Sequence, residues 1–142
     1  MDPYIPAKLS QIIEDFQLAE GGEKLELLLE YAEKLPAAGP WRQARPEEIE
    51  AVPECMTPVF LYSELIDGAL VLYFDVPRES PTVRGFAEIF REGLAGCTPE
   101  QILALPADIY LKLGLEKALT HQRLNGIAAL VMHIKHQAML KM

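Results

Sequence analysis

Residues 59 to 74 carry the one strong β signal in the chain. Val59 to Leu65 is rich in Val, Phe, Leu and Tyr, Leu70 to Phe74 continues the pattern, and Asp67-Gly68 between them is a hairpin-turn pair. A two-stranded hairpin is marginal on its own in water, so the rest of the chain must cover it. That rest reads mainly as helix. Leu9, Ile12, Ile13 and Phe16 fall at helical spacing within Lys8 to Leu18, before Gly21-Gly22. Leu25, Leu28, Leu29, Ala32 and Leu35 form one stripe over Glu23 to Leu35. Beyond the hairpin, Ser80-Pro81 reads as a cap and first helical position ahead of Val83, Phe86, Ala87, Phe90 and Leu94. Thr98-Pro99-Glu100-Gln101 is a capping-box pattern. A short helical turn after Pro106 is stopped by Gly114. Thr120 caps a last helix with the stripe Leu124, Ile127, Ala128, Val131, Ile134 and Ala138. The order predicts an α+β fold, a small antiparallel sheet (hairpin 59–65/70–74) packed against several helices, in a single domain over residues 1–142.

Between the second helix and the hairpin lies a connection of another kind. Pro36, Pro40, Pro46 and Pro53, with Gly39 and Trp41, make it irregular. Its length points to function. A short helix from Pro46 to Ala51 is compatible with proline in a first turn, and the sequence leaves open a short third strand near Val52.

Composition narrows the function classes. Twenty-one acids against 13 bases give a net charge of -8, spread along the chain. Such a surface repels phosphate backbones and anionic membranes, so neither nucleic acid nor membrane is an expected partner. No apolar run approaches the about 20 residues of a membrane helix. Met1-Asp2-Pro3-Tyr4 has no basic start or apolar run, so no targeting segment is expected. With only two cysteines, Cys55 and Cys97, a disulfide framework is not expected, and a reducing cytoplasm fits. No phosphate loop, dinucleotide fingerprint or metal-ligand spacing is present, so the chain is expected to hold no cofactor or metal itself.

Cys55 is set apart by its surroundings. It follows Val52-Pro53-Glu54 and precedes Met56-Thr57-Pro58, which places it in a turn before the first strand, since Pro58 has no N–H for a ladder bond. A thiol in such a turn can be reached by another protein, and its thiolate would be the reacting species. An ordinary buried cysteine fits the position as well.

Val52-Pro53-Glu54-Cys55-Met56-Thr57-Pro58-Val59-Phe60-Leu61 resembles the signature of the SufE family, approximately Val-x-Gly-Cys-Gln-Ser-x-Val-Trp-Leu. The resemblance extends in order along the chain. Ile13-Glu14-Asp15-Phe16, Leu35-Pro36, Val83-Arg84-Gly85, Thr98-Pro99-Glu100-Gln101-Ile102-Leu103, Gly114-Leu115 and Arg123-x-Asn125-Gly126 each have a family counterpart, over about residues 8 to 137. The resemblance implies a sulfur carrier, a partner protein rather than a stand-alone enzyme. A SufS-like cysteine desulfurase, which holds the pyridoxal phosphate, would present a persulfide. Cys55 would take its terminal sulfur, stimulate the desulfurase, and pass the sulfur to an iron–sulfur scaffold downstream. Arg123 would contact the loop or the desulfurase, Thr57 keeps a hydroxyl where the family has serine, and Arg84 is a weaker docking candidate.

The chain departs from the family at Glu54, Met56 and Phe60. Glutamate at 54 replaces glycine, and its carboxylate beside the thiol should disfavour thiolate, implying a slower or differently partnered acceptor. A cation at Arg123 could offset it. Cys97 reads as a semi-exposed cysteine and Asp75 as turn chemistry. His133 and His136 share a helix face and read as surface residues. Of the three histidines, His121 is the one expected near the loop. The alternatives are a non-catalytic desulfurase-binding domain, an iron–sulfur scaffold of related fold, and a thiol hydrolase or peroxidase with a base beside Cys55.

Overall fold

The computed structural model describes residues 4–142; Met1, Asp2 and Pro3, read above as part of a terminus without a targeting signal, lie outside the described residues. The α+β fold is observed, with six α-helices and one three-stranded antiparallel sheet among the described residues. No helix among them is long and apolar enough to cross a membrane.

The hairpin forms where its residues predict it. Strand β2 (Phe60–Ile66) pairs with β3 (Ala69–Asp75), placing Leu61 opposite Phe74 and Ser63 opposite Leu72. Asp67 (φ 50°) and Gly68 (φ 82°) both take the left-handed conformation of a tight hairpin turn. Strand β1 (Glu50–Ala51) adds to the free edge of β2, Glu50 opposite Leu61 and Ala51 opposite Phe60. This is the third strand that the sequence left open. Its pairing limits the preceding helical segment to one 3-10 turn, Pro46–Glu48, instead of the expected 46 to 51.

Alternation along the strands gives the sheet two apolar faces. Leu61, Leu70, Leu72 and Phe74 enter the main core, and Ser63 joins them with its hydroxyl bonded to Gln137 Oε1 at 2.5 Å. The opposite face carries Tyr62 and Tyr73. The proline-rich connection crosses this face: in α3 (Trp41–Ala44), the Trp41 ring lies 5.8 Å from Tyr62 and 5.9 Å from Tyr73, centroid to centroid. Next to it, Arg42 stands over the Phe60 ring at 4.1 Å and binds Asp75 at 2.9 Å.

The core is organised around α4 (Pro81–Gly93), whose Val83, Phe86, Ala87, Ile89 and Phe90 are all buried. Even Glu88 is buried, its carboxylate held by Arg91 through bonds of 2.7 and 2.9 Å. Helix α1 (Ala7–Leu18) packs on α4 with the expected Leu9, Ile12, Ile13 and Phe16. Helix α2 (Glu23–Lys34) is rotated from the expected stripe. Leu28, Tyr31, Ala32 and Leu35 are buried, whereas Leu25 and Leu29 are exposed. The rotation follows from a close contact: an ideal Cβ on Gly85 of α4 would lie 2.6 Å from the Leu28 carbonyl oxygen and 2.6 Å from its Cδ1. The side of α2 that turns inward is therefore the one centred on Leu28.

The capping signals at the next two helices are realised. Helix α5 (Pro99–Leu103) has a complete capping box between Thr98 and Gln101, and α6 (His121–Leu140) begins with Thr120 Oγ1 accepting the Arg123 N–H at 3.2 Å. Ser80 occupies the cap position of α4, but its side chain makes no capping bond. The turn after Pro106 is a 3-10 helix, Ile109–Leu113, ended by Gly114 at φ 72°.

Gly85→Ala should lower stability by about 1–3 kcal/mol in urea unfolding, because the added methyl meets backbone that cannot move aside without separating α2 from α4. A loss below about 0.5 kcal/mol would show that the two helices spread freely and that the contact does not set their spacing.

Candidate thiol site and its histidine–glutamate network

Cys55 ends a 3-10 turn, Pro53–Cys55, between β1 and β2. Val52 is held in the sheet by its N–H to the Val59 carbonyl (2.9 Å), and the turn closes with Cys55 N–H on the Val52 carbonyl (3.2 Å) and Met56 N–H on the Pro53 carbonyl (3.3 Å). Met56 leaves the turn at φ 61°, a left-handed conformation that costs a residue with a β-carbon about 1–2 kcal/mol, and its side chain is exposed. The Thr57 hydroxyl, which stands where the family has serine, is buried without a hydrogen-bond partner among the described residues.

The turn rests on α6. The half-buried Cys55 thiol donates to the Gly126 carbonyl, with Sγ 3.5 Å from the oxygen. An ideal Cβ on Gly126 would lie 3.3 Å from Cys55 Cα and 3.5 Å from Sγ. Glycine is what lets the helix backbone come this close. Burial, and then the charge of Glu54, push the thiol pKa up to about 11. The direction expected from Glu54 is present, but burial is the larger cause. At rest this is a protonated thiol.

A cavity of about 390 Å3 opens beside it. Cys55, Met56 and Thr57 form one wall, and Thr82 and Arg123 stand among the residues opposite. Arg123, exposed at the start of α6, directs Nη1 to Thr82 Oγ1 at 3.4 Å, and no ion pair involving it occurs among the described residues. Arg84 is placed elsewhere. Its guanidinium donates to the carbonyls of Val76 (2.8 Å) and Leu35 (3.0 Å), tying the segment after β3 to the end of α2. Cys97 is buried in the core, not semi-exposed, and its carbonyl accepts the Leu70 N–H at 2.8 Å.

The histidines differ from the sequence reading. His121 is exposed at the first position of α6, whereas His133 reaches the turn. His133 Nε2 lies 3.0 Å from Glu54 Oε1, and its Nδ1 contacts Glu50 Oε2 in β1. His136 Nδ1 lies 2.7 Å from Glu50 Oε1, an oxygen that Gln137 Nε2 also reaches at 2.7 Å. The basic side chain beside Glu54 is thus His133, not Arg123. Burial alone would lower the His133 pKa, but its bonds to Glu50 and Glu54, reinforced by their charges, raise it above the ordinary value. Burial alone would raise Glu50, but donors on Gln137, His133 and His136 bring it below the ordinary value. Glu54 is also lowered, by its own backbone N–H and by His133. No local pattern announces this network, because Glu50 and His133 meet only when β1 has been laid against α6.

Comparison with known proteins covers most of the chain. The sequence profile of the family described as "SufE: Fe-S metabolism associated domain" matches residues 10–138. An uncharacterised SufE-like protein of Mycobacterium tuberculosis is 42% identical over 134 residues, covering 94% of this chain and 92% of that protein. An uncharacterised SufE-like protein of Synechocystis is 30% identical over 123 residues, covering 86% and 74% respectively. The solution structure of a hypothetical protein from Thermus thermophilus superposes with a TM-score of 0.83 at 39% identity, covering 96% of each chain.

Replacing Glu54 with Gln removes one of the two causes that raise the thiol. The pH dependence of Cys55 alkylation should therefore move to lower pH, from a midpoint of about 11. An unchanged or higher midpoint would show that the carboxylate does not act on the thiol.

Proposed function

The chain belongs to the SufE family, whose domain is associated with Fe–S metabolism, and from that premise we propose that Cys55 accepts sulfane sulfur from the persulfide of a cysteine desulfurase. The observation that carries this reading is the placement of Cys55: one thiol on the wall of a cavity open to a partner, held by a single carbonyl contact to Gly126.

The chemistry is an exchange with no net redox change. Cys55 thiolate attacks the terminal sulfur of the donor persulfide. The sulfur–sulfur bond of the donor breaks, a new one forms at Cys55, and the donor cysteine leaves as thiolate. The proton that Cys55 gives up balances the one the donor thiolate takes. The second transfer repeats the exchange toward an iron–sulfur assembly acceptor, with Cys55 as the leaving thiolate. The chain's own residues contribute position. Gly126 shelters the thiol until it moves, and the cavity admits a donor side chain. Arg123 offers its guanidinium at the rim to the loop or to an acidic group of the desulfurase, while Thr57 lines the wall beside the thiol. Arg84 supports the site from a distance through the carbonyls it bridges. The pyridoxal phosphate of the reaction belongs to the desulfurase.

The other readings have less behind them. A thiol hydrolase needs a base on the nucleophile, and the contact made by Sγ is a carbonyl. An iron–sulfur scaffold needs about three ligands, and the second cysteine, Cys97, is packed in the core.

Incubation with a cysteine desulfurase, pyridoxal phosphate and cysteine, followed by persulfide-selective alkylation and mass analysis, should show one or more added sulfur atoms at Cys55, and none at this position in Cys55→Ser. If Cys55 gains no sulfur while the desulfurase is active and bound, the protein is a binding domain and not a carrier. Retention of full desulfurase stimulation by Cys55→Ser would point the same way.

A further inference from the structure

Among the described residues, His133 is the side chain of α6 that hydrogen-bonds both to β1 and to the Cys55 turn. It sits on α6 with a carboxylate at each ring nitrogen: Glu50 of β1 at Nδ1, and Glu54 of the turn at Nε2, 3.0 Å away. An ionised carboxylate only accepts hydrogen bonds. Both contacts are made together only when both ring nitrogens carry hydrogen, that is, by an imidazolium. A neutral imidazole has one N–H and must give up one partner. The partner kept is Glu50, whose side chain is 14% exposed, and the partner released is Glu54, which is 51% exposed and can be solvated. Glu50 also retains Gln137 Nε2 and His136 Nδ1.

Without that contact the turn keeps its own backbone bonds and its packing on Gly126, but three features weaken it. Met56 keeps it in a left-handed conformation, Thr57 buries a hydroxyl with no partner among the described residues, and the thiol contact to Gly126 is long at 3.5 Å. The charged groups around His133 are few. Glu54 faces it from the turn, Glu50 from β1 and His136 from its own helix; beyond Glu50, Glu47 and Glu48 line the same groove, Glu48 at 3.5 Å from Lys141 Nζ.

We propose that His133 is a positioning residue which, as an imidazolium, clamps the Cys55 turn onto α6 through Glu54, and whose deprotonation releases the turn so that the thiol can leave Gly126 and meet a donor persulfide. The consequence for sulfur transfer rests on the function proposed above; the clamp itself does not. Its pH window follows from the two partners. The raised His133 value means that the clamp is complete below the ordinary histidine range and is lost as pH rises through the folded-state value. At the acid end it is lost as Glu54 protonates, below the ordinary carboxylate range.

Amide hydrogen exchange of Cys55 and Met56, corrected for the intrinsic rate, tests the clamp between about pH 6 and about pH 9, with the His133 ring titrated by NMR in the same samples. In the wild type, protection should fall about twofold to fivefold, the size expected of a half-exposed ion pair, with the midpoint of the His133 titration. Glu54→Ala should be poorly protected across the range, with no step and a lower His133 midpoint. His133→Arg, charged throughout, should stay protected at high pH. If arginine does not fit and that variant fails to fold, Glu54→Ala decides alone, because its side chain is exposed. A wild type with no step, or a step that survives in Glu54→Ala, overturns the proposal. If the step is present and Cys55 gains no sulfur, the carrier reading falls and the clamp stands; if Cys55 gains sulfur and no step is seen, the reverse holds.

Discussion

A hairpin of two seven-residue strands has two faces to cover, and the placement of the thiol follows from how the second face is covered. The first face is closed by α4 and α6, as the helical stripes require. The second exposes Tyr62 and Tyr73, and the segment between α2 and the sheet closes it with Trp41. Having crossed that face, the chain is on the free side of β2, where Glu50 and Ala51 can pair with it. It must then reverse in a few residues to enter β2 itself. That reversal is the turn carrying Cys55, and it takes place against α6. The irregular connection is therefore a structural cover that delivers the Cys55 turn, which accounts for both its length and its aromatic residue.

The electrostatics of the turn depend on its burial. A carboxylate next to a thiol opposes thiolate formation, yet the larger effect on Cys55 is its removal from water between the turn and Gly126. A thiol with a pKa of about 11 has a thiolate fraction near neutrality of about one part in ten thousand, against a few per cent for a free cysteine. The charge of Glu54 does not stand alone, since His133 sits 3.0 Å away. The pair is net neutral when His133 is protonated, and anionic when it is not. Protonation of a residue that never touches the sulfur thus changes both the field at the thiol and the hold on its turn.

Much of this was written in the sequence, and the part that was not has a physical cause. The hairpin, the capping box at Thr98, the cap at Thr120 and the position of Cys55 in a turn are encoded by residues within a few positions of one another, so each could be read locally. Of the expected α2 stripe, Leu28, Ala32 and Leu35 are buried, but Leu25 and Leu29 are not, because leucine at 25 and 29 satisfies a helical period as well as tyrosine at 31. Only the contact of Leu28 with Gly85 decides between the two rotations. The role of His133 is hidden from the sequence for a related reason. Its partners are 79 and 83 residues away in sequence, and His121, nearer to the family motif Arg123-x-Asn125-Gly126, was the natural candidate. The glycine of that motif, by contrast, has a cause that the sequence could not supply: it is the point at which α6 backbone touches Cys55.

A thiol so strongly protonated would be a poor nucleophile for an enzyme acting alone, and it would suit the carrier role proposed above. An exposed cysteine with much thiolate is open to oxidation while it waits for a donor. Burial against Gly126 keeps Cys55 inert until something moves it, and moving it removes the largest cause of its raised pKa. Exposure and activation are then the same event. A partner that draws the turn into its own site need bring no separate base to raise the thiolate fraction, because desolvation by α6 is relieved by the displacement itself. The cost of that displacement is kept small by the strained Met56 and by the buried Thr57 hydroxyl, which has no partner among the described residues; both destabilise the closed turn. Set against them is the Glu54–His133 contact, which stabilises it.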